Sequence, residues 1–448
     1  MEARHLLSLP EILQSVFEQL DSDPPSLFAV IQVNKTWFLN GIAILWKKAD
    51  TDALAKVSEE RRQIYASCIH KLTFNGSGDE EYYMSFQDLV FTNLREVSVD
   101  AYRPKTGNRP NLLPLLPPTL EKLSFYGGDL DLEVLDHLQT NCRRLQSILI
   151  DSPGSDVTST AFLNFLQRSS SLEDFSFVFG MQHLLPPDTI SYLFSRENLK
   201  SLVISIIISK DLLDQIIDTT EAPLPMIQRL TLPITAPAIP AMITLLEQRN
   251  SLRELSLSID GASDIPSSLS RLTSLEKLEL NFRQETELSS EGLLSLKHLT
   301  RLRKLNIGPD EIYGGFDPNV QARSWTDADF EAVISHMPLL ECLELHVQCP
   351  LSVASLASVG HHCRSLETCE MLPEFNLERW PDIDEIWFPN LKELTIGGIN
   401  AGAGPYTPDG PKKVAEKLKL KCPRLEDLYV ESEDAYTEAV AAAFHDLG

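Results

Sequence analysis

The residues best suited to chemistry crowd into one stretch of the chain, where four cysteines and three histidines lie within 28 positions. They are Cys342, His346, Cys349, His361, His362, Cys363 and Cys369. Thiolate and imidazole groups bind zinc, and a Cys–His pair can act as a nucleophile, but both chemistries need side chains that converge. Cys363 and Cys369 occupy apolar positions of a recurring pattern, whereas Cys342 occupies a variable position. Their side chains should point in different directions, so we predict no catalytic residue, no metal site and no cofactor.

The charge balance of the chain limits its partners. It holds 39 Lys and Arg against 64 Asp and Glu, which gives a formal net charge of −25. Nucleic acids and anionic membranes need concentrated positive charge for their phosphates. The longest aliphatic run, Leu202–Ile208, is far too short to span a bilayer. We therefore expect neither a nucleic acid nor a membrane as partner.

The cysteine content indicates a reducing compartment. Seven cysteines are spread over 448 residues, an odd number at low density, which is typical of reduced thiols rather than of a disulfide framework. The first residues, MEARHLLSLPEI, lack the apolar region of a signal peptide because Pro10 and Glu11 interrupt it. We expect a cytoplasmic location, a nuclear location, or both.

One apolar pattern, L-x-x-L-x-L, recurs from residue 67 to the end of the chain at intervals of about 27 residues. Its last two apolar residues are two apart and so point the same way from a short strand. No single copy can bury this face alone, so the copies must stack. The fourteen copies begin at Ile69, Leu94, Leu120, Leu145, Leu172, Leu199, Ile227, Leu252, Leu275, Leu302, Leu340, Leu366, Leu391 and Leu425.

The pattern resembles that of leucine-rich repeats, which are about 20–29 residues long, a range that includes the interval seen here. The resemblance implies an α/β solenoid, a horseshoe with a parallel sheet on its concave face. A doubly wound domain is disfavoured because its strand–helix–strand unit needs about 30 residues or more. Three copies follow a cysteine, Cys142, Cys363 or Cys422, as in the cysteine-containing repeat type. Helical return segments are predicted at Leu130–Leu138, Ala161–Leu166, Ile239–Leu246, Leu293–Leu299, Phe330–Met337 and Val353–His361.

The stretch before the repeats, residues 9–46, is apolar on helical spacing. Ile12, Val16 and Leu20 recur every four residues, and Asp23 with Pro24 suits the cap and first position of a second helix. Three short helices bury little surface on their own. Their remaining apolar side chains indicate either a partner or a cap over the first repeat.

The order of residues in this stretch resembles the F-box motif, especially that of fungal F-box proteins. The resemblance covers roughly residues 6–48 and depends on the LPEI sequence at residues 9–12, on Val33 followed by Trp37, and on Leu45-Trp46. It implies docking on a Skp-family adaptor, which a cullin scaffold with a RING subunit holds in turn. The residues implied to form or support the adaptor-binding surface are Leu9, Pro10, Ile12, Val16, Leu20, Leu27, Val30, Val33 and Trp37. We divide the chain into an F-box domain (1–50), a linker helix (51–66) and a repeat domain (67–448).

Target binding is expected on the repeats. Insertions at 308–325 and 397–413 are rich in Gly and Pro, and insertions in repeat arrays often lie on the binding face. From Leu425 onward there are seven acidic residues and no Lys or Arg. We predict that the C-terminal part of the concave face binds a basic target segment; the alternative is that these carboxylates only interact with solvent. The candidate residues are Glu344, His346, Glu370, Glu393, Asp427 and Tyr429.

These observations predict a non-catalytic substrate-recognition subunit of an SCF-type ubiquitin ligase. The alternative is a leucine-rich scaffold that needs no adaptor and whose N-terminal helices only cap the array. Trp325, Trp380 and Trp387 lie in or near loops, where packing is expected rather than a role as binding anchors.

Overall fold

The computed structural model describes residues 10–20, 23–75, 80–102, 112–310, 319–380, 386–401 and 409–447. They form two compact units. The first comprises Met1–Leu193 and Val203–Ser205, and the second comprises Phe194–Leu202 and Ile206–Gly448.

The first unit begins with three short helices, whose starts follow from local chemistry. The Asp23 side chain accepts a hydrogen bond from the Ser26 amide and Asn34 accepts one from the Trp37 amide, which caps the second and third helices. The cap and proline start predicted at Asp23 and Pro24 are confirmed. The helices are α1 (Pro10–Glu18), α2 (Pro24–Val30) and α3 (Lys35–Leu45).

A short strand, β1 (Lys48–Asp50), follows α3 and pairs in parallel with β2 (Lys71–Thr73). Between them lie two helices, α4 (Thr51–Ala55) and α5 (Glu59–Ala66). The sequence predicts a single helix over residues 51–66. The structure instead has two helices separated by residues 56–58. Asp50 caps the start of the first helix, and Ser58 directly precedes the second.

The rest of the first unit alternates strands with helical or irregular returns. Strands β2 to β6 pair in parallel in chain order, so that Glu96, Lys122, Ser147 and Asp174 stand in one row across the sheet. The elements are α6 (Glu80–Ser85), β3 (Glu96–Tyr102), β4 (Lys122–Gly128), α7 (Leu132–Asn141), β5 (Ser147–Asp151), α8 (Ser159–Arg168) and β6 (Asp174–Phe177). Helix α9 (Pro187–Ser195) and strand β7 (Ser201–Ile204) contain residues of both units.

The second unit continues the same alternation with parallel pairing in chain order. Its strands are β8 (Arg229–Thr235), β9 (Glu254–Asp260), β10 (Lys277–Phe282), β11 (Thr286–Glu287), β12 (Lys304–Pro309), β13 (Val320–Gln321), β14 (Cys342–Leu345), β15 (Thr368–Phe375), β16 (Glu393–Ile399) and β17 (Asp427–Val430). Its helices are α10 (Lys210–Thr219), α11 (Ile239–Glu247), α12 (Ser290–Ser295), α13 (Asp327–Ile334), α14 (Val353–His362), α15 (Gly410–Lys421) and α16 (Ala435–Asp446). Strands β11 and β13 form a separate two-stranded sheet, and Gln321 of β13 also forms a parallel bridge with Gln348.

Each of the fourteen copies of the apolar pattern forms a strand, and its apolar residues face the core. In the copy that starts at Leu252, that residue and the strand residues Leu255 and Leu257 are all buried. Outward-facing residues alternate with them along β9. These strands and returns confirm the predicted α/β leucine-rich-repeat fold.

The six predicted helical returns are present within a few residues, the fourth of them ending in a 3₁₀ turn at Leu296–His298. Helices α6, α9, α10, α15 and α16 were not predicted. Helix α15 begins inside the stretch 397–413, which the sequence assigns to a loop, while residues 402–408 of that stretch lie outside the described residues. Among the described residues no helix combines the length and the apolar composition needed to cross a membrane.

The repeat cysteines terminate return helices. Cys142, Cys363 and Cys422 are the C-caps of α7, α14 and α15 and are all buried. The thiol of Cys142 donates to the carbonyl of Leu116 at 3.5 Å, which ties one repeat to the preceding one. Burial raises the pKa of all three thiols to about 12, so they are not nucleophiles at neutral pH.

The three tryptophans of the repeats are buried. Trp325 packs edge-on against Phe330 with ring centroids 5.2 Å apart, and Trp380 packs on Trp387 at 5.4 Å. The ammonium of the buried Lys421 lies 4.4 Å from the Trp387 ring. Packing, and not display as binding anchors, is therefore the role of these side chains.

Candidate interaction surfaces

The three N-terminal helices share a small core. Leu13 and Phe17 of α1 and Leu27 of α2 are buried, and Trp37 of α3 packs edge-on against Phe17 with ring centroids 5.6 Å apart. Leu20 and Val30 also pack on this core, as do Ile44 and Leu45. The helices therefore hold one another in a defined arrangement despite their short length.

Gly41 allows α3 to approach the other two helices. A Cβ atom at this position would lie 2.4 Å from Cγ2 of Ile31 and 3.5 Å from the Phe17 ring. The residue is buried in the middle of a helix, where glycine carries a conformational cost. A glycine inside an apolar helical pattern signals close packing, and this signal in the sequence could have identified Gly41.

The predicted adaptor-binding residues separate into two groups. Leu27 is buried, and Leu20, Val30 and Trp37 are partly buried, so these four belong to the core of the three helices. Val16 and Val33 are exposed. Ile12 is half-buried and Pro10 starts α1, while Leu9 lies outside the described residues.

Two further large apolar side chains of these helices, outside the predicted set, are exposed. Phe28 and Leu39 are each 57% exposed, as much as Val33 at 59%. Phe28 follows the buried Leu27 directly but is itself exposed. We define the N-terminal apolar surface as Val16, Phe28, Val33 and Leu39.

The helices are also joined to the sheet of the first unit. The ring of Trp46 lies 4.5 Å from that of Tyr65 in α5, and Arg61 of α5 stacks over Tyr65 at 5.7 Å and over Phe38 of α3 at 6.0 Å. Together with the pairing of β1 and β2, these contacts place the N-terminal helices at the start of the sheet.

The second candidate surface is the outward face of the sheet in the second unit. The register places Glu279, Asn306, Glu344 and Glu370 in one row across β10, β12, β14 and β15. The preceding row holds Lys304 and Cys342 side by side. Carboxylates and a cation therefore stand within reach of each other on adjacent strands.

Glu344, a predicted target-binding residue, is held by its neighbours. Lys304 donates to its Oε1 at 2.7 Å, the thiol of Cys342 donates to the same oxygen at 3.2 Å, and Asn306 donates to Oε2. Burial acts to raise the pKa of Glu344, but the hydrogen bonds from Lys304, Cys342 and Asn306 outweigh it and hold that pKa below its ordinary value. Both oxygens of this carboxylate are therefore hydrogen-bonded to residues of the sheet.

His346 and Glu370, two more predicted residues, contact each other. Nε2 of the imidazole lies 2.8 Å from Oε2 of the carboxylate on the next strand. Gly308 on β12 makes room for the imidazole, because a Cβ there would lie 2.7 Å from that of His346. Like Glu344, both members of this pair have a hydrogen-bond partner within the sheet.

The last two repeat strands differ from this arrangement. Glu393 and Asp427 lie side by side in register on β16 and β17, and neither forms an ion pair with any described residue. Tyr429 lies in the next row and is 57% exposed. Of the six predicted target-binding residues, Glu393 and Tyr429 are exposed and Asp427 is partly exposed, whereas the other three are bonded to neighbours.

The side chains of the cysteine–histidine stretch do not point toward a common centre. Cys363 and Cys369 are buried in the core, whereas Cys342 donates to Glu344 on the outward face. Within the described ranges, no group of three or more His, Cys, Asp or Glu side chains is placed to hold a metal ion.

A buried ion pair that the sequence analysis missed lies on the same face. Nε of Arg283 donates to Asp310 at 3.0 Å and to the Ser258 hydroxyl at 2.7 Å, and Ser258 also donates to Asp310. Ser258 lies within β9, Arg283 directly follows β10, and Asp310 directly follows β12. Residues 311–318, which come next in the chain, lie outside the described part. Arg283 and Asp310 are 27 positions apart in the chain and meet only through the pairing of β10 with β12, so the sequence alone does not reveal the pair.

Comparisons with known proteins assign no family: no family model matches the chain, and no curated protein matches it. Solved structures of similar fold include a leucine-rich-repeat protein of Leptospira interrogans at 15% identity, covering 78% of this chain and 82% of that one, with a TM-score of 0.38. An internalin from Listeria monocytogenes shares 14% identity, covers 84% and 92%, and has a TM-score of 0.37. The yeast Rad7 and Elc1 complex contains a chain that shares 14% identity, covers 94% and 95%, and has a TM-score of 0.43. At these values the likeness assigns no function.

Proposed function

We propose that this protein is the substrate-recognition subunit of an SCF-type ubiquitin ligase. The N-terminal helices (1–50) dock on a Skp-family adaptor, residues 51–66 link them to the repeats, and the repeats (67–448) bind a target protein. The chain performs no bond chemistry. It holds the target near a ubiquitin-conjugating enzyme and so raises the effective concentration of the reacting groups.

The N-terminal apolar surface is the observation that carries the proposal. Large apolar side chains remain exposed on the three helices, at Val16, Phe28 and Leu39, and in the turn between the second and third, at Val33, although the helices already share a core. Burying each such side chain in a partner stabilises a complex by about 1.5–3 kcal/mol. The surface lies within the stretch whose residue order resembles the F-box motif.

Val33 and Val90 provide a matched test of adaptor docking. The two valines are 59% and 60% exposed, but only the first lies on the N-terminal apolar surface. Calorimetric titration of purified Skp-family adaptor should show binding to the wild type and to Val90→Glu. Val33→Glu should weaken binding by about tenfold or more, because a carboxylate is desolvated at the contact.

A second experiment addresses the implied motif directly. Replacing Leu9, Pro10 and Ile12 together by Ala should weaken adaptor binding while the melting of the repeats stays unchanged. The proposal is wrong if the wild type does not bind the adaptor, or if both sets of variants bind as the wild type does.

One observation favours the alternative of a leucine-rich scaffold that needs no adaptor. The pairing of β1 with β2 and the stacking of Trp46 on Tyr65 give the N-terminal helices the position of a cap at the start of the sheet. If the helices serve only as a cap, neither the wild type nor Val33→Glu should bind the adaptor. The adaptor titration therefore separates the two functions.

A further inference from the structure

Strand β17 lies at the edge of the repeat sheet, and among the described residues it has a strand partner on one side only. In β17, the alternate residues Asp427 and Glu431 donate their amides to Lys392 and Ile396 of the preceding repeat. The intervening residues, Leu428 and Val430, therefore direct their amide and carbonyl groups away from β16. Within the described part of the chain, no group accepts a hydrogen bond from either amide.

Helix α16 contacts β17 and β16, but none of its described residues forms a backbone hydrogen bond with Leu428 or Val430. Helix α16 packs against α15 and buries Tyr436, Val440 and Phe444 on the helical side of the sheet. Val430, whose side chain is on the core side with the buried Leu428, stays partly exposed. An open edge of this kind is a template for pairing with another strand.

The side chains beside the edge are acidic. Asp427, Tyr429 and Glu431 project from the outward face in alternation, and Glu431 and Tyr429 are exposed. A strand added to β17 would set alternate side chains opposite these three. Lys or Arg at those positions would pair with the two carboxylates and lay an aliphatic stem over the tyrosine ring.

The same charges argue against a second copy of this chain as the occupant. Antiparallel pairing of two β17 edges about Tyr429 would put Asp427 of each copy opposite Glu431 of the other. Like charges in directly opposed positions destabilise a strand pair. The net charge of −25 further opposes self-association.

We propose that the open edge of β17 binds an extended segment of a target protein in which Lys or Arg alternates with apolar residues. The cationic side chains face Asp427 and Glu431, the apolar ones cover Val430, and the main chain bonds to Leu428 and Val430. This inference deepens the target-binding half of the proposed function and rests on it. Adaptor binding uses other residues and is measured separately.

The test uses the full chain and a fluorescent eight-residue peptide in which Lys and Val alternate, followed by fluorescence anisotropy. Val430→Pro removes one edge amide, and proline is tolerated in a strand where its N–H faces solvent. Val430→Thr keeps both the amide and the branched shape and is the matched control. We expect Pro to weaken peptide binding by about tenfold and Thr to leave it unchanged.

Two further arms separate main-chain pairing from simple charge attraction. The same peptide N-methylated at every residue keeps its charges but loses its donors, and it should not bind measurably. Neutralising Asp427 and Glu431 to Asn and Gln should weaken the unmodified peptide by about fivefold or more. Unchanged melting and adaptor binding confirm that each variant is folded.

Three results would overturn the inference: no binding of the lysine–valine peptide to the wild type, equal binding of the N-methylated peptide, or equal binding by Val430→Pro. Each leaves the adaptor titration unaffected, so loss of the edge site and loss of the proposed function are distinguishable. A peptide in which Glu replaces Lys should not bind, because it repeats the charge of the edge.

Discussion

The ammonium of Lys304 lies 2.7 Å from Oε1 of Glu344 and 3.7 Å from Oε1 of Glu279, on the strands to either side. One cation thus pairs with two carboxylates across three strands, and Lys277, on the same strand as Glu279, pairs with Glu279 at 2.9 Å. The acidic residues in this part of the sheet are structural partners of lysines as much as they are a surface for a target.

Removing Lys304 should destabilise the second unit. Lys304→Met keeps the aliphatic stem but leaves the half-buried Glu344 and Glu279 without their shared cation, and we expect a loss of about 1–2 kcal/mol in the free energy of unfolding. Urea unfolding measures it. In a Glu344→Gln background the same substitution should cost less, whereas additive losses would show that the two side chains act independently.

The lowered pKa of Glu344 predicts a pH dependence of stability. Because the folded-state pKa lies below the ordinary value of 4.5, this group stabilises the fold above that value, and the contribution is lost as the pH falls through the folded-state pKa. Urea unfolding at a series of pH values should therefore give a shallower acid decline for Glu344→Gln than for the wild type. Glu433→Gln removes the same charge from an exposed position and should retain the wild-type slope.

Gly41 should be essential to the N-terminal helices. Gly41→Val places a branched side chain where even a Cβ meets Ile31 at 2.4 Å, and the overpacking should cost about 1–3 kcal/mol. Ala43→Val, at an exposed position of the same helix, is the control. Hydrogen exchange should show faster exchange of the α1–α3 amides in the first variant only; equal protection in both would refute the close approach.

We expect only some carboxylates of the outward face to contribute to binding of a basic peptide, namely those without a bonding partner in the sheet. Glu344→Gln and Glu370→Gln remove charges that already bond to Lys304 and His346, so the affinity for the basic peptide should change less than about twofold. Asp427→Asn with Glu431→Gln should weaken the peptide by about fivefold or more. The converse result in peptide titrations would place the binding region on β14 and β15 instead.

The repeat strands could be predicted because their determinants are local. Leu252, Leu255 and Leu257 need only the alternation of a strand and a neighbour to pack on, and the same spacing recurs along the chain. Strand β1 could not be predicted in this way, because the residues Lys48–Asp50 have no apolar pattern and adopt the strand through pairing with β2.

The side-chain partners on the outward face were beyond prediction for a different reason. Glu344 is 40 positions from Lys304, across the longest interval between repeats, and their contact depends on the register of β12 with β14. A slip of one residue would send the carboxylate to the opposite face. The sequence alone could therefore name Glu344 as an outward acid but could not show that it has a partner.

The buried cap cysteines have a practical consequence. Cys142 belongs to the first unit, and Cys363 and Cys422 belong to the second, so each unit contains thiols that are shielded while it is folded. A thiol-specific alkylating reagent followed by peptide mass mapping would record when each unit opens, without any engineered label. The rate of alkylation at Cys142 would report the opening of the first unit, and the rates at Cys363 and Cys422 would report the opening of the second.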